Sequence, residues 1–266
     1  MNTENRNIIA WWSAGVTSAV ATKLAIQEYG VDNVTPIYFK IDSAHTDNAR
    51  FLEQCEEWYG KKIKVLQSDK AKDQFDVIKK YRYVNGPAGA RCTAILKKEL
   101  RQKVEKETEY RGQVFGFEHS KREVSRAIRF KEQYPKALPL FPLISKKMTK
   151  PECLYYLESE GISRPEMYNL GYPNNNCIGC VKGGKGYWNK IRKDFPDHFE
   201  KMATLERDLN RTCITGVFLD ELDVNAGYKS KIVIPDCGNF CDIEFTDIEH
   251  PKTDQVYRKP EQLSLF

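Results

Sequence analysis

Five apolar residues in a row, at positions 8–12, stand between a polar start and a run of small side chains at 13–18. A short apolar run without alternation predicts a strand buried on both faces, and the small residues after it predict a tight turn. Residues 19–29 have helical spacing and stop at Gly30. A second strand is predicted at 34–41, then a polar loop at 42–48 and an amphipathic helix at 49–59. Residues 63–66 and 113–117 give a third and a fourth strand, the last opening into a charged loop. Strand, loop and helix in alternation predict an α/β domain on a parallel sheet, with ligands at the carboxyl ends of its strands.

The texture changes near Lys150. Thr149-Lys150-Pro151-Glu152 reads as a capped helix start, with Thr149 as the cap and Pro151 in the first turn, and the helix runs to about Ser159. A Gly-, Asn- and Cys-rich segment at 169–186, a helix at 195–209 and a loop-rich tail follow. The expected organisation is an α/β domain over 1–150, a helical and loop-rich Cys-bearing subdomain over 151–250, and a flexible tail over 251–266. No internal repeat is visible.

Composition narrows the class. With 266 residues and 41% hydrophobic content, the chain can bury a sizeable core. No run approaches the roughly 18 apolar residues of a membrane span, and residues 1–7 are too polar to open a signal peptide, so a cytoplasmic protein is expected. In that reducing setting the eight cysteines read as metal, cluster or catalytic thiols and not as disulfides. The net charge of +5 is unevenly spread, with −4 over residues 1–60, +14 over 61–150 and −5 over the rest. The basic middle third implies an anionic partner, a nucleotide or a nucleic acid; solvated helix faces are the alternative.

The turn Ser13-Ala14-Gly15-Val16-Thr17-Ser18 lets backbone N–H groups approach a phosphate at a helix N-terminus, with the hydroxyls of Ser13, Thr17 and Ser18 at hand. It resembles the PP-loop of the ATP pyrophosphatases, S-G-G-x-D-S, with Ala14 for the first glycine and Thr17 for the aspartate. The lost carboxylate leaves a bound Mg open. Later segments resemble one branch of that superfamily, the reductases of phosphoadenylyl and adenylyl sulfate (PAPS and APS). Asp42-Ser43-Ala44-His45 resembles the D-T-G motif on the ribose and base side, and Arg91-Cys92-Thr93 with Lys97 resembles R-C-C-x-x-x-K. Gly116-Phe117-Glu118 with Arg122 and Arg126 resembles the G-x-R-x-x-E-S-x-x-R segment that grips the anionic end of the substrate. Pro142-Leu143, Met167-Tyr168-Asn169-Leu170-Gly171-Tyr172 and Cys177-Ile178-Gly179-Cys180 follow in the family's order. The resemblance implies a parallel-sheet, adenine nucleotide alpha hydrolase-like (Rossmann-like) fold with ATP, APS or PAPS as ligand. Ser13, Gly15, Thr17, Ser18, Asp42, His45, Arg91, Gly116, Glu118 and Arg126 would bind the nucleotide, and Lys97 and Arg122 would act in catalysis.

Cys177-x2-Cys180 has metal-ligand spacing, because two intervening residues let both sulfurs turn to one centre. The resemblance adds Cys92, with Thr93 where a second cysteine would stand, and Cys241 is the expected fourth ligand of a 4Fe-4S cluster, zinc being the alternative. Cys237 has two readings: with Cys241 it forms a second ligand pair, whereas Asp236-Cys237-Gly238 resembles the E-C-G motif of the reductase nucleophile. Cys55, Cys153 and Cys213 read as buried small hydrophobes. Tyr187 and Trp188, in a glycine- and lysine-rich stretch, either stack on bases or cover the metal site. Gln262-Leu263-Ser264-Leu265-Phe266 resembles the peptide by which bacterial DNA polymerases and repair proteins dock on the sliding clamp. The expected function is adenine-nucleotide-dependent sulfur transfer to nucleic acid, of the DNA phosphorothioation or tRNA thiolation type. The alternatives are an APS/PAPS reductase that releases sulfite and a non-catalytic nucleotide-sensing module tethered to the clamp.

Overall fold

The computed structural model describes residues 7–84 and 89–227. Its centre is β1 (Ile8–Trp12), which pairs in parallel with β2 (Val34–Phe39) on one side and β4 (Gly112–Val114) on the other. β3 (Lys64–Leu66) and β5 (Pro139–Leu140) complete a five-stranded parallel sheet of order β3-β2-β1-β4-β5. The register runs from Ile8 opposite Val34 to Trp12 opposite Tyr38. All five residues of β1 are buried, because both faces of the sheet are covered. Ile8, Ala10 and Trp12 enter one core, and Ile9 and Trp11 enter the other.

The first face is covered by α1 (Val16–Tyr29) and α2 (Asn48–Tyr59). α3 (Gln74–Tyr81) follows β3, and α4 (Arg91–Thr93) continues through a π-helical turn, Ala94–Lys98, into α5 (Glu99–Glu107). Together with α6 (Lys121–Gln133), α5 covers the second face. There the rings of Phe115 and Phe130 lie 4.7 Å apart and those of Phe117 and Phe141 5.1 Å apart, close enough to fix the chain leaving β4. α7 (Pro142–Ser145) and α8 (Lys150–Ser159) return to the first face, where Leu143, Cys153 and Leu157 are fully buried beside α1. The Glu152 carboxylate accepts the Thr149 N–H at 2.7 Å, closing the expected capping box.

α9 (Glu166–Asn169), α10 (Lys185–Asp194) and α11 (Pro196–Leu209) enclose, with α3, a separate core of Phe75, Ile78, Met167, Tyr172, Ile178, Tyr187, Trp188, Phe199 and Met202. Two expectations about these elements shift. The fourth strand was expected at 113–117 and is Gly112–Val114, because the chain leaves the sheet to pass over the turn after β1. Tyr187 and Trp188, 1% and 0% exposed, are core residues of α10 and present no face on which a base could stack.

The chain goes from β1 outward to β2 and β3, then crosses to β4 and β5 on the other side. In open α/β sheets such a reversal leaves a crevice at the carboxyl ends of the strands. Among the described residues no helix is long and apolar enough to cross a membrane.

Candidate functional site

A cleft of about 730 Å³ opens at that reversal, within the roughly 300–1,000 Å³ usual for small-ligand sites. Its floor is the turn between β1 and α1. Ser13, Gly15, Thr17 and Ser18 all line it. The Ser18 hydroxyl accepts the Ser13 N–H and the Ser13 hydroxyl, each at 3.0 Å, and donates to the Gly15 carbonyl at 2.8 Å. Ser18, 4% exposed, therefore holds the turn's shape, while Thr17 and the exposed Ser13 face the cleft. Ala14 sits at φ 58°, a left-handed conformation in which glycine is unstrained, and this is the position of the first glycine in the PP-loop pattern. The N-terminus of α1 has no side-chain cap from Gly15; instead Val16 N–H donates to the Tyr168 hydroxyl at 3.3 Å.

The basic side chains on the cleft wall are Lys97, Arg122, Arg126, Lys150 and Arg164, against the acidic Glu118 and Glu123. The wall suits an anion. Arg122 and Arg126 do not present themselves alike. Arg126 is buried, with its guanidinium on the Phe117 ring and its Nη1 3.1 Å from Glu123 Oε2, whereas Arg122 is largely exposed. Gly116 passes directly over the turn, and Glu118 lies just beyond it on the same wall.

Beside this cleft lies a small apolar cavity of about 20 Å³ whose wall includes Cys92, Cys177 and Cys180. Cys177, Lys97, Asn176 and Ile41 border both spaces. The Cys177–Cys180 loop is fixed from several directions. The Tyr187 hydroxyl accepts the Gly179 and Cys180 N–H groups at 3.0 and 2.9 Å and donates to the Cys177 carbonyl at 3.2 Å. Burial, with the Cys180 sulfur nearby, holds the Tyr187 phenol well above its ordinary value, so it stays protonated. Gln74 donates to the Ile178 carbonyl at 2.8 Å, and Ile178 N–H donates to the Ser43 carbonyl at 2.9 Å. Gly179 takes φ 78°, which the turn requires.

Asp42, His45 and Arg91 stand away from the cleft wall. Asp42 accepts from Gln67 at 2.8 Å and lies 3.6 Å from the Lys40 amine. His45 Nδ1 accepts the Asp47 N–H at 3.1 Å, and Arg91 lies over the Tyr81 ring at 4.3 Å. From that segment Ala44 reaches the cleft, and the Ser43 backbone holds the cysteine loop. Cys237, Cys241 and the 262–266 peptide lie outside the described residues.

Three cleft residues had no assigned role in the sequence. Asn175 donates to the Ala14 carbonyl at 2.7 Å and to Asn48 Oδ1 at 2.8 Å, tying the phosphate-type turn to the segment that carries Cys177. Lys150 donates to the Pro173 carbonyl and to Asn174, both at 2.5 Å. Tyr168 is the cap already described. The run Asn174-Asn175-Asn176 before a cysteine pair was the available signal, since side-chain amides can bridge backbone groups of separate segments.

Cys55 and Cys153 are buried in the first core, and burial pushes both thiols up to about 12. Cys213 behaves differently from the expectation. It is half-buried in the loop after α11 and packs on the core that contains Cys180, as does Cys92, and both thiols act on it electrostatically. Among the described residues, no three His, Cys, Asp or Glu side chains are gathered as ligands of a single metal ion.

A parallel sheet with a reversal-point cleft, a glycine- and serine-bearing turn at its floor and a basic wall defines a nucleotide-binding α/β protein. The chain matches the phosphoadenosine phosphosulfate reductase domain over residues 7–183 and belongs to that family. No curated protein matches it. Among solved structures it is similar to the U34-tRNA thiolase NcsA from Methanococcus maripaludis with its 4Fe-4S cluster. That similarity has 14% identity over 87% of this chain and 83% of the other, with a TM-score of 0.36.

Proposed function

We propose that the protein is an adenine-nucleotide-dependent sulfur-transfer enzyme acting on nucleic acid, with a cysteine-ligated 4Fe-4S cluster beside the nucleotide. The observation that carries this reading is the wall shared by the two spaces: Cys177 and Lys97 border both the anion cleft and the thiol cavity. Sulfur chemistry and nucleotide chemistry thus stand one side chain apart. The basic stretch over residues 61–150 supports a polyanionic acceptor.

In the activation step, an acceptor oxygen attacks the α-phosphorus of ATP. The oxygen–phosphorus bond forms, the bond to the β-phosphate oxygen breaks, and pyrophosphate leaves with the electron pair. The turn at Ser13, Gly15 and Thr17 holds the leaving phosphates, and Arg122 with Lys97 balances charge developing on the phosphoryl oxygens. Thr17 offers a hydroxyl where a carboxylate would bind Mg, so any divalent ion rests on the nucleotide's own oxygens. The thiols of Cys92, Cys177 and Cys180 are soft donors around one apolar space, a set that fits an iron–sulfur cluster; bound there, the cluster supplies soft iron sites for sulfur. Cys241 and Cys237 remain candidates from the sequence for the fourth ligand and for a nucleophile.

Family membership itself favours a second reading, APS or PAPS reduction with release of sulfite. Anaerobically purified protein separates the two. Nucleic-acid-stimulated conversion of ATP to AMP and pyrophosphate, without sulfite from labelled APS or PAPS plus thiol reductant, is expected. Sulfite release without ATP turnover overturns the transfer reading. Arg122→Gln should weaken nucleotide affinity about tenfold, the loss of one charge-assisted contact.

A further inference from the structure

We infer that Cys213 is a ligand of the metal centre, completing a set with Cys92, Cys177 and Cys180. This rests on the cluster reading above and changes its ligand set, in which Cys241 was the expected fourth member. The inference starts from the way the Cys213 loop is built. α11 ends at Asn210 in a left-handed cap, and the following residues turn back through a bridge between Ile214 and Val217, with Gly216 at φ 76°. One fully buried carboxylate holds this loop: Glu206 accepts the Cys213 N–H and, at 2.7 Å, the Leu219 N–H. Burying a carboxylate is costly, and here it fixes the backbone on which one half-buried thiol is mounted.

The thiol so mounted is near the others. Cys92 and Cys213 pack on the same core as Cys180, Tyr187 and Trp188, and Cys92, Cys177 and Cys180 share the apolar cavity. The four cysteines arrive from three segments: the start of α4, the loop before α10 and the loop after α11. They surround a space and do not converge on a point, the arrangement a cluster requires, since its irons and sulfides stand between its thiolates. Cys55 and Cys153, the remaining described cysteines, lie in the sheet's own core and take no part.

The test uses the full chain, reconstituted anaerobically with ferrous iron and sulfide, and reads iron and sulfide per chain, absorbance near 400 nm and the EPR of the reduced protein. Cys213→Ser and Cys213→Ala should each lose most of the bound iron or give an altered EPR spectrum, as Cys177→Ser does, while Cys241→Ser keeps wild-type iron and spectrum. Far-UV circular dichroism and melting of the metal-free variants show that the fold persists; should Cys213→Ser fail to fold, iron content and spectrum of Cys213→Ala and Cys241→Ser decide. Wild-type iron and an unchanged spectrum in the Cys213 variants, alongside loss in Cys177→Ser, overturn the inference and leave the cluster reading standing. A wild-type chain that takes up zinc and no iron overturns the cluster reading itself.

Discussion

A Cβ at residue 116 would stand 2.6 Å from the Ser18 nitrogen and 2.7 Å from its Cα, inside the distance at which nonbonded atoms meet. Both obstacles are backbone, so neither can swing aside. Gly116→Ala should destabilise the fold by about 1–3 kcal/mol, the usual cost of overpacking, and weaken nucleotide binding by displacing the turn. Thermal melting with and without ATP measures both effects. The thiols give a second prediction at this scale. Because burial holds Cys55 and Cys153 near 12, both stay protonated and should escape alkylation of the native protein at pH 8. Peptide mass spectrometry should find them modified only after unfolding. Single residues were unevenly legible in the sequence. The Cys177 and Cys180 pair declared itself by spacing, because both sulfurs lie on one loop. Cys213 did not, since its neighbours come from segments far along the chain. Ser18 was legible as a site residue, but the bonds that turn its hydroxyl inward depend on the folded turn.

Elements were read best where local signals and burial agreed. β1 is an unbroken apolar run with both faces covered, and α8 begins at its capping box. α10 was missed because Gly183, Gly184 and Gly186 argue against a helix, whose stability comes from burying Tyr187, Trp188 and Ile191. β5, two residues long and beginning with proline, carries too little pattern to be seen. The π-helical turn before α5 is equally silent in the sequence, yet Lys97 lies within it. The start of α2 gives a prediction for pH. Arg50 Nε and Nη2 donate to the Asp47 carboxylate at 2.6 and 2.7 Å, and Glu166 N–H adds a bond at 2.9 Å. The Arg50 guanidinium holds the Asp47 carboxyl below its usual range. For a depressed carboxyl the stabilisation is complete above its unfolded value, near 4, and is lost as pH falls through the lower folded value. Asp47→Asn should therefore cost about 1 kcal/mol at pH 7, partial exposure of Arg50 reducing the effect, and almost nothing once the wild-type carboxyl is protonated. Urea unfolding of both proteins across that range tests it.

For the whole molecule, charge is the property that composition alone conceals. If the +14 over residues 61–150 meets a nucleic acid, log affinity should fall linearly with log salt, with a slope that counts the phosphates neutralised. A flat dependence in a DNA or tRNA binding titration refutes a polyanionic acceptor. Deleting residues 262–266 should abolish affinity for the sliding clamp and leave ATP turnover unchanged. Surface plasmon resonance on immobilised clamp decides the first point. The α/β architecture was legible because alternating strands and helices leave few topologies. The joining of the cleft to the cysteine loop was not, since it depends on long-range hydrogen bonds such as those of Asn175. That one amide has a thermodynamic consequence. Through Asn175 the backbone of the phosphate-type turn is tethered two residues from Cys177, so a shift in either is felt by the other. Linkage then makes the effect reciprocal: whatever factor a bound nucleotide adds to metal affinity, the metal must add to nucleotide affinity, with 1–3 kcal/mol the usual size of such coupling. In that sense Asn175 makes the protein a conditional device, competent at one site when the other is filled.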